Sequence, residues 1–399
     1  MDPQKIRSQQ DETIFTALLE HPAVQQVIEK IARQEMQGPN GTRRRLLATA
    51  VKLSKNMAPT LNKIAQDCIE KLEVDIPTEL YAYNSAQFNA ACVKPEEGKL
   101  FIMFSSALLD AFDNDELRFV MGHELGHFIY HHHDIPVGYL LRGSPPIAPG
   151  LALQLTSWSR YAEFSADRAG ALCVNKLDAV ARSLFKLASG VTSAVVQFNL
   201  NDFLQQVDEM RLEDAQAGLQ SSPQDWFMTH PFSPLRVKAL QLFHRSELMA
   251  KNGISTLAME TGIEGLMGLM EPSYLEAKTE GDKAMRHMLF AAALAVANAD
   301  GNISSAEIDV FEKFFGQYQY HEKLDIDKLT ARLPVRAQRV IEHTSVAKRM
   351  QLMHDLCVMA RAEGKAAGPA IGQLHAIAHL LEVPGLIVEQ ALCSNTELD

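Results

Sequence analysis

The chain has no CxxC pair. Its five cysteines, Cys68, Cys92, Cys173, Cys357 and Cys393, are scattered and odd in number. That excludes a disulfide framework and fits reduced thiols in a cytoplasmic protein. A long apolar run is also missing. The most notable uncharged stretch, "GSPPIAPGLALQLTSWS" between Arg142 and Arg160, carries three prolines and a short apolar centre. It falls short of the roughly 20 apolar residues that span a bilayer, so no transmembrane helix is expected. The opening residues, "MDPQKIRSQQDETIF", are polar and charged, unlike a secretory signal peptide. Positive charge is in deficit. Lys and Arg number 38 against 49 Asp and Glu, a net charge of −11, which gives no support to a nucleic-acid role. The one basic run, "TRRRLL" from Thr42 to Leu47, reads as a solvated helix start.

What the chain does have is ordinary globular composition, 47% hydrophobic and 22% charged over 399 residues. That is enough for two or three domains. Ile14, Leu18, Leu19, Val24, Val27, Ile28 and Ile31 recur at helical spacing. "GPNGT" (Gly38 to Thr42) ends that region, and a second amphipathic run covers Leu46 to Leu72. The pattern then changes. Glu79 to Asn84, Phe88 to Val93 and Lys99 to Phe104 read as three strands, with the turn "KPEEG" before the third. Asp113 and Glu116 have capping-box spacing and predict a helix start. Helical pattern resumes near Ser157 and runs through Leu177 to Ala188 and Phe203 to Gln216, and a Pro-marked turn then leads to a further helix ending near Phe243. Residues 251–280 hold "NG", "TG", "EG" and "EPS" and read as a linker. Within it Met267 and Met270 read as a helical core stripe. Beyond it, Ala284 to Phe315 reads as helix, turn, helix, and Leu352 to Leu381 repeats that arrangement. The expected fold is mainly α with a small antiparallel or mixed β-sheet (α+β) in the first domain, and an all-α C-terminal domain. The expected organisation is N-terminal helices over 1–59 packing on a domain over 60–250, the linker 251–280, and a helical domain over 281–399.

One stretch concentrates chemistry: "MGHELGHFIYHHHD", residues 121 to 134. His123 and His127 are four apart, so on a helix they share a face. Both imidazoles then reach one cation, and Glu124, one step round, faces a water on it as general base. Gly122 and Gly126 keep that helix thin enough for another backbone to approach. A hydrolytic zinc needs a third protein ligand. Glu163, in "SRYAEFSADRAG", is the candidate. Asp167, four further on, is placed to accept the free N–H of a ligating histidine, and Arg160 to hold one of these carboxylates. His131 lies four beyond His127, and the run His131, His132, His133 reads as an exposed helix end. His230, on the turn "THP", suits stabilisation of an oxyanion, or a latent state in which it takes the metal's open position. Arg236 is placed to tie that loop to Asp167. The acidic turn at Asp300, Asn302, Ser304 and Glu307 fails the EF-hand spacing at loop positions six and twelve and reads as a helix N-cap.

The blocks "HELGH", "SRYAEFSAD" and "HPFSPLR", in that order, resemble the HtpX-like and CAAX-prenyl-protease-like gluzincin metallopeptidases over about residues 60–245. The resemblance implies one zinc (Zn2+) per chain at His123, His127 and Glu163, with Glu124 as general base. "FNAACV" is similar to that family's active-site edge strand, with Asn89 and Ala90 in the matching places. It implies that an extended peptide or protein substrate adds to that edge. The chain departs from membrane members, which carry hydrophobic spans, and from secreted ones, which carry a signal peptide. It looks like a soluble branch. Residues from about 281 to 395 are similar to the tellurite-resistance TerB-like helical domain. The expectation is a zinc metalloendopeptidase. The alternative is a latent or vestigial peptidase that acts chiefly as a partner-binding module through its C-terminal helices.

Overall fold

A computed structural model of the chain describes residues 2–35, 41–143, 147–193, 195–214, 228–270, 280–315, 319–321, 323–344, 346–364 and 366–392. It divides into two units, residues 1–204 with 227–251, and residues 205–226 with 252–399. Both are mainly helical, and the first holds a small mixed sheet.

In the first unit a 3-10 turn (Pro3–Ile6) precedes α1 (Gln9–Glu20), α2 (Pro22–Glu35), α3 (Thr42–Thr49) and α4 (Pro59–Lys71). Strands β1 (Val51–Lys52), β2 (Thr78–Tyr83), β3 (Ala90–Glu96) and β4 (Lys99–Ser105) lie in the order β1-β2-β4-β3. β2 runs parallel to β4, while β1 and β3 pair antiparallel with their neighbours. The sheet is therefore mixed, and β3 is an edge. Glu97 and Gly98, at φ 52° and 69°, make the β3–β4 turn, the positive-φ pair that a two-residue hairpin turn requires. The second amphipathic run is not one helix. It is broken between α3 and α4 by β1, a strand too short for period-two patterning to reveal. The basic run begins α3, where the Glu96 carboxylate accepts from the Gly41 and Thr42 N–H groups and Arg43 pairs with Glu79.

Helices α5 (Ser106–Ala111), α6 (Asn114–Ile129), α7 (Val137–Arg142), α8 (Pro149–Val174), α9 (Leu177–Ser189), α10 (Leu200–Asp214) and α11 (Ser233–Arg245) follow. The division between the units falls within α10. α6 opens on the full capping box at Asp113 and Glu116. The fully buried Glu116 also pairs with Arg182 and Lys186 of α9, which fixes the start of α6 against that helix. α8 begins at Pro149, earlier than its periodicity suggested, because the apolar centre of the proline-containing stretch packs as Leu151 and Leu155 beside Trp158. No described helix is long and apolar enough to cross a membrane.

α6 and α8 pack closely. A Cβ on Gly126 would meet the Ala166 Cα and the Ala169 Cβ at 2.9 Å each. One on Gly122 would meet the Cys173 Sγ at 2.8 Å and the Gly170 Cα at 2.9 Å. Gly126→Ala is expected to destabilise the fold by about 1–3 kcal/mol through overpacking. Chemical denaturation checks this, and an unchanged midpoint would refute the tight crossing.

In the second unit residues 256–270 of the segment expected as a linker are helix and turn, and residues 271–279 of it lie outside the described residues. α12 (Thr256–Met267) and the 3-10 turn Gly268–Met270 bury Met259, Ile263, Leu266, Met267 and Met270. Gly265, from the "EG" that suggested a linker, sits in this packing beside Met350, and Gly268 beside Gln351. Met267 and Met270 are core residues, as their spacing suggested. α13 (Glu280–Ala297), α14 (Ser305–Phe315), α15 (Ile326–Ala331), α16 (Leu333–His343), α17 (Val346–Ala360), α18 (Gly368–Leu380) and α19 (Leu386–Leu392) complete it. α13 with α14, and α17 with α18, are the two helix–turn–helix copies. Ser304 and Glu307 cap α14 reciprocally, and Asp300 accepts from the Asn302 N–H. The acidic turn is therefore satisfied as a cap. Cys68, Cys92, Cys173 and Cys357 are free and buried, and Cys393 lies outside the described residues.

Candidate metal centre

The α6–α8 crossing brings His123, His127 and Glu163 together. Among the described residues their ligand atoms form a group lying within 4.8 Å of one another. His123 Nε2 and His127 Nε2 are 3.1 Å apart. Glu163 stands 3.6 Å from the first and 3.4 Å from the second. Tetrahedral ligands at the 2.0–2.1 Å typical of zinc stand about 3.3 Å from each other, so the spacing fits such an ion.

The hydrogen bonds around the histidines decide which nitrogens carry lone pairs. His123 Nδ1 lies 3.0 Å from Asp167 Oδ1. A carboxylate only accepts, so the proton is on Nδ1 and Nε2 is bare. His127 Nδ1 lies 2.9 Å from His132 Nδ1, and His132 Nε2 lies 3.0 Å from Asp11 Oδ2. Asp11 likewise only accepts, so neutral His132 carries its proton on Nε2 and accepts on Nδ1. His127 then donates from Nδ1 and its Nε2 is bare as well. Two lone pairs and a carboxylate thus converge. Glu163 Oε2 is buried with no hydrogen-bond partner, although Arg236 Nη2 lies 3.2 Å away. Such a group of acceptors calls for a cation. Burial disfavours charge on His127, yet Glu163 and then Glu124 raise its pKa. Burial also opposes the charge on Glu163, but His230, Arg236 and His127 hold its pKa well below the usual range.

Arg236 Nε and Nη2 donate to the two oxygens of Asp167 at 2.8 and 2.6 Å. The pair is buried, and the guanidinium lowers the pKa of Asp167 against its desolvation. Asp167 thus touches both His123 and Arg236. Arg160 is buried and donates to the Met228 carbonyl at 3.1 Å. It thereby fastens the strand of chain two residues before His230. Residue spacing alone does not show that this loop carbonyl passes within its reach.

Glu124 is buried, and its Oε2 accepts the Cys92 N–H at 2.7 Å. The Cys92 amide must therefore point away from β4. By the alternation of an antiparallel ladder, Ala90 presents its backbone on the same free edge. Asn89 turns its backbone carbonyl to β4, where it accepts from the Ser105 N–H, and its exposed side chain donates to the Tyr83 hydroxyl. His230 is 64% exposed, with Nε2 3.4 Å from Glu163 Oε1 and Nδ1 beside the Thr229 hydroxyl. It stands at the open side of the metal group.

The histidine run departs from expectation. His131 is exposed and takes φ 60°, which ends α6. His132 turns back beneath His127 and is buried. It is not part of an exposed end. Burial pushes the pKa of His132 down to about 4 despite Asp11, so it is neutral. Sequence reasoning missed both His132 and Asp11. The first is disguised by its neighbours, and the second sits in the polar stretch "SQQDET", which carries no local signal.

Residues 55–142 and 138–243 match the sequence pattern of peptidase family M48. The matched residues include all three metal-group side chains, Glu124, β3, Asp167, His230 and Arg236. A curated relative, the plastoglobule-localized metallopeptidase 48, chloroplastic, of Arabidopsis thaliana, is 30% identical over 217 residues. The alignment covers 50% of this chain and 61% of the relative. No solved structure matches. α1 and residues 252–399 lie outside the M48 match.

Proposed function

We propose that the chain is a zinc-dependent endopeptidase of the HtpX-like, soluble kind. The observation that carries this is the convergence of three acceptor atoms beside a buried glutamate that is itself bonded to an edge strand. A zinc ion held by His123, His127 and Glu163 supplies Lewis acidity and a water of lowered pKa.

The chain's own residues do the rest. A substrate peptide in extended form pairs with the free edge of β3 at Ala90, which sets its carbonyl across the open side of the centre. Glu124 Oε2 stays bonded to the Cys92 N–H, and its other oxygen takes the proton of the attacking water. It returns that proton to the departing amine. His230 donates to the oxyanion that forms on the scissile carbonyl. Arg236 and Asp167 hold His123 in the tautomer that leaves Nε2 free. We place the protein in the cytoplasm, with its buried thiols reduced. For residues 281–399 we propose a TerB-like helical domain, supported by the two helix–turn–helix copies.

The test is metal removal. The purified protein is expected to cleave casein or a mixed peptide library, to lose that activity on dialysis against a strong chelator, and to regain it with about one equivalent of zinc. Cleavage that persists after the metal is removed would refute this reading.

A further inference from the structure

We infer that Asp11, acting through His132, positions the metal ligand His127, and that helix α1 is thereby a working part of the centre. This rests on the zinc-peptidase reading above. The two histidine ligands are supported in different ways. His123 reaches its carboxylate directly, at Asp167. His127 has no carboxylate on Nδ1. It donates instead to His132, which donates in turn to Asp11. The bonds all run in one direction, from the ligand outward to a fixed negative charge. That direction keeps Nε2 of His127 bare and makes it a better donor to a cation, as a carboxylate does for a ligating imidazole elsewhere.

Three features set this apart from an ordinary buried histidine. First, the backbone is bent to make it. On a continuing helix residue 132 would lie about 140° round from residue 127. The left-handed conformation of His131 ends the helix and brings the His132 ring to 5.1 Å from that of His127. A non-glycine residue in that region is uncommon and strained. Second, Asp11 is fully buried and held on every side. Arg7 Nε at 2.9 Å, Trp158 Nε1 at 2.9 Å, Ser165 Oγ at 2.7 Å and His132 Nε2 all donate to it. Third, the N-terminal segment is pinned in place. The Tyr130 hydroxyl donates to the Pro3 carbonyl, Arg168 to the Ile6 carbonyl, and the Ser8 N–H to Ser165. These bonds fasten the start of the chain to α6 and α8, the two helices that supply the ligands. Asp11 comes from outside the stretch that matches the peptidase family, so the centre extends beyond that stretch.

The test measures zinc affinity by competition with a chromophoric chelator, on the full chain. The proteins are wild type, His132→Phe, Asp11→Asn, the double variant, and Glu163→Ala. His132→Phe keeps a buried ring and removes the acceptor. Asp11→Asn keeps the size and removes the charge. His132→Phe is expected to weaken zinc binding 10- to 100-fold, the range for such outer partners, and Asp11→Asn several-fold. Because both act along one line, the double variant is expected to bind within about threefold of His132→Phe, whereas independent effects would multiply. Thermal melting of the metal-free proteins separates positioning from folding. A merely structural role lowers the melting temperature and leaves zinc affinity intact, which would overturn the proposal. Wild-type affinity in Asp11→Asn and in His132→Phe, with zinc lost in Glu163→Ala, would also overturn it while leaving the metal centre standing. If one variant does not fold, the affinity of the other decides. A wild-type protein that binds no zinc removes this proposal together with the peptidase reading.

Discussion

Glu163→Ala is expected to bind zinc at least about a hundredfold more weakly than the wild type, a larger loss than outer-shell changes produce. Elemental analysis of the purified proteins should give about one zinc per wild-type chain and far less in the variant. The reason is geometric. Glu163 is the only member of the group that comes from α8, with its oxygens 3.4 and 3.6 Å from the two histidine nitrogens. Without it, two neutral imidazoles on α6 remain, and a hydrolytic zinc needs three protein ligands. The fold should survive, because Arg236 keeps its two-point bond to Asp167. Melting of the metal-free variant checks that. Zinc content equal to wild type would mean that Glu163 is not a ligand.

Glu124→Gln is expected to keep the metal and lose turnover by about 10²–10⁴-fold, the usual contribution of a general base. The amide oxygen of glutamine still accepts from the Cys92 N–H, so β3 should hold its place. Only the basicity is removed. Loss should therefore appear in kcat, with KM little changed, since the peptide edge is intact. The measurement is cleavage of a fluorogenic peptide library alongside zinc analysis of the same sample. Turnover at the wild-type rate with zinc bound would sink the mechanism, and loss of zinc would make Glu124 a structural support of the centre.

Much of the centre was legible because its parts are short-range. The i, i+4 spacings of His123 with His127 and of Glu163 with Asp167 are fixed by helix geometry. The capping box at Asp113 and Glu116 is read from a four-residue pattern and sets where that helix starts. Gly122 and Gly126 signalled a close backbone approach, and α8 makes it at 2.9 Å. The three strands and the mainly helical fold class follow from period-two and period-3.6 patterning, which are local properties.

What the sequence by itself determined is therefore which side chains are the candidate ligands, the candidate base and the carboxylate nearest to them along the chain. The tertiary structure decided the rest. Only folding brings Asp11 to His132, 121 residues away, because nothing in a polar helix start tells which carboxylate will be buried. Only the turn at His131 sends its neighbour back to the metal group rather than out to solvent. Gly265 suggested a linker, yet it lies in a packed helix, because partners distant in sequence bury Met259, Ile263 and Met267. The free edge of β3 was settled by the sheet order and by the bond from Cys92 to Glu124. Burial and long-range pairing are properties of the whole packed chain, and no window of residues carries them.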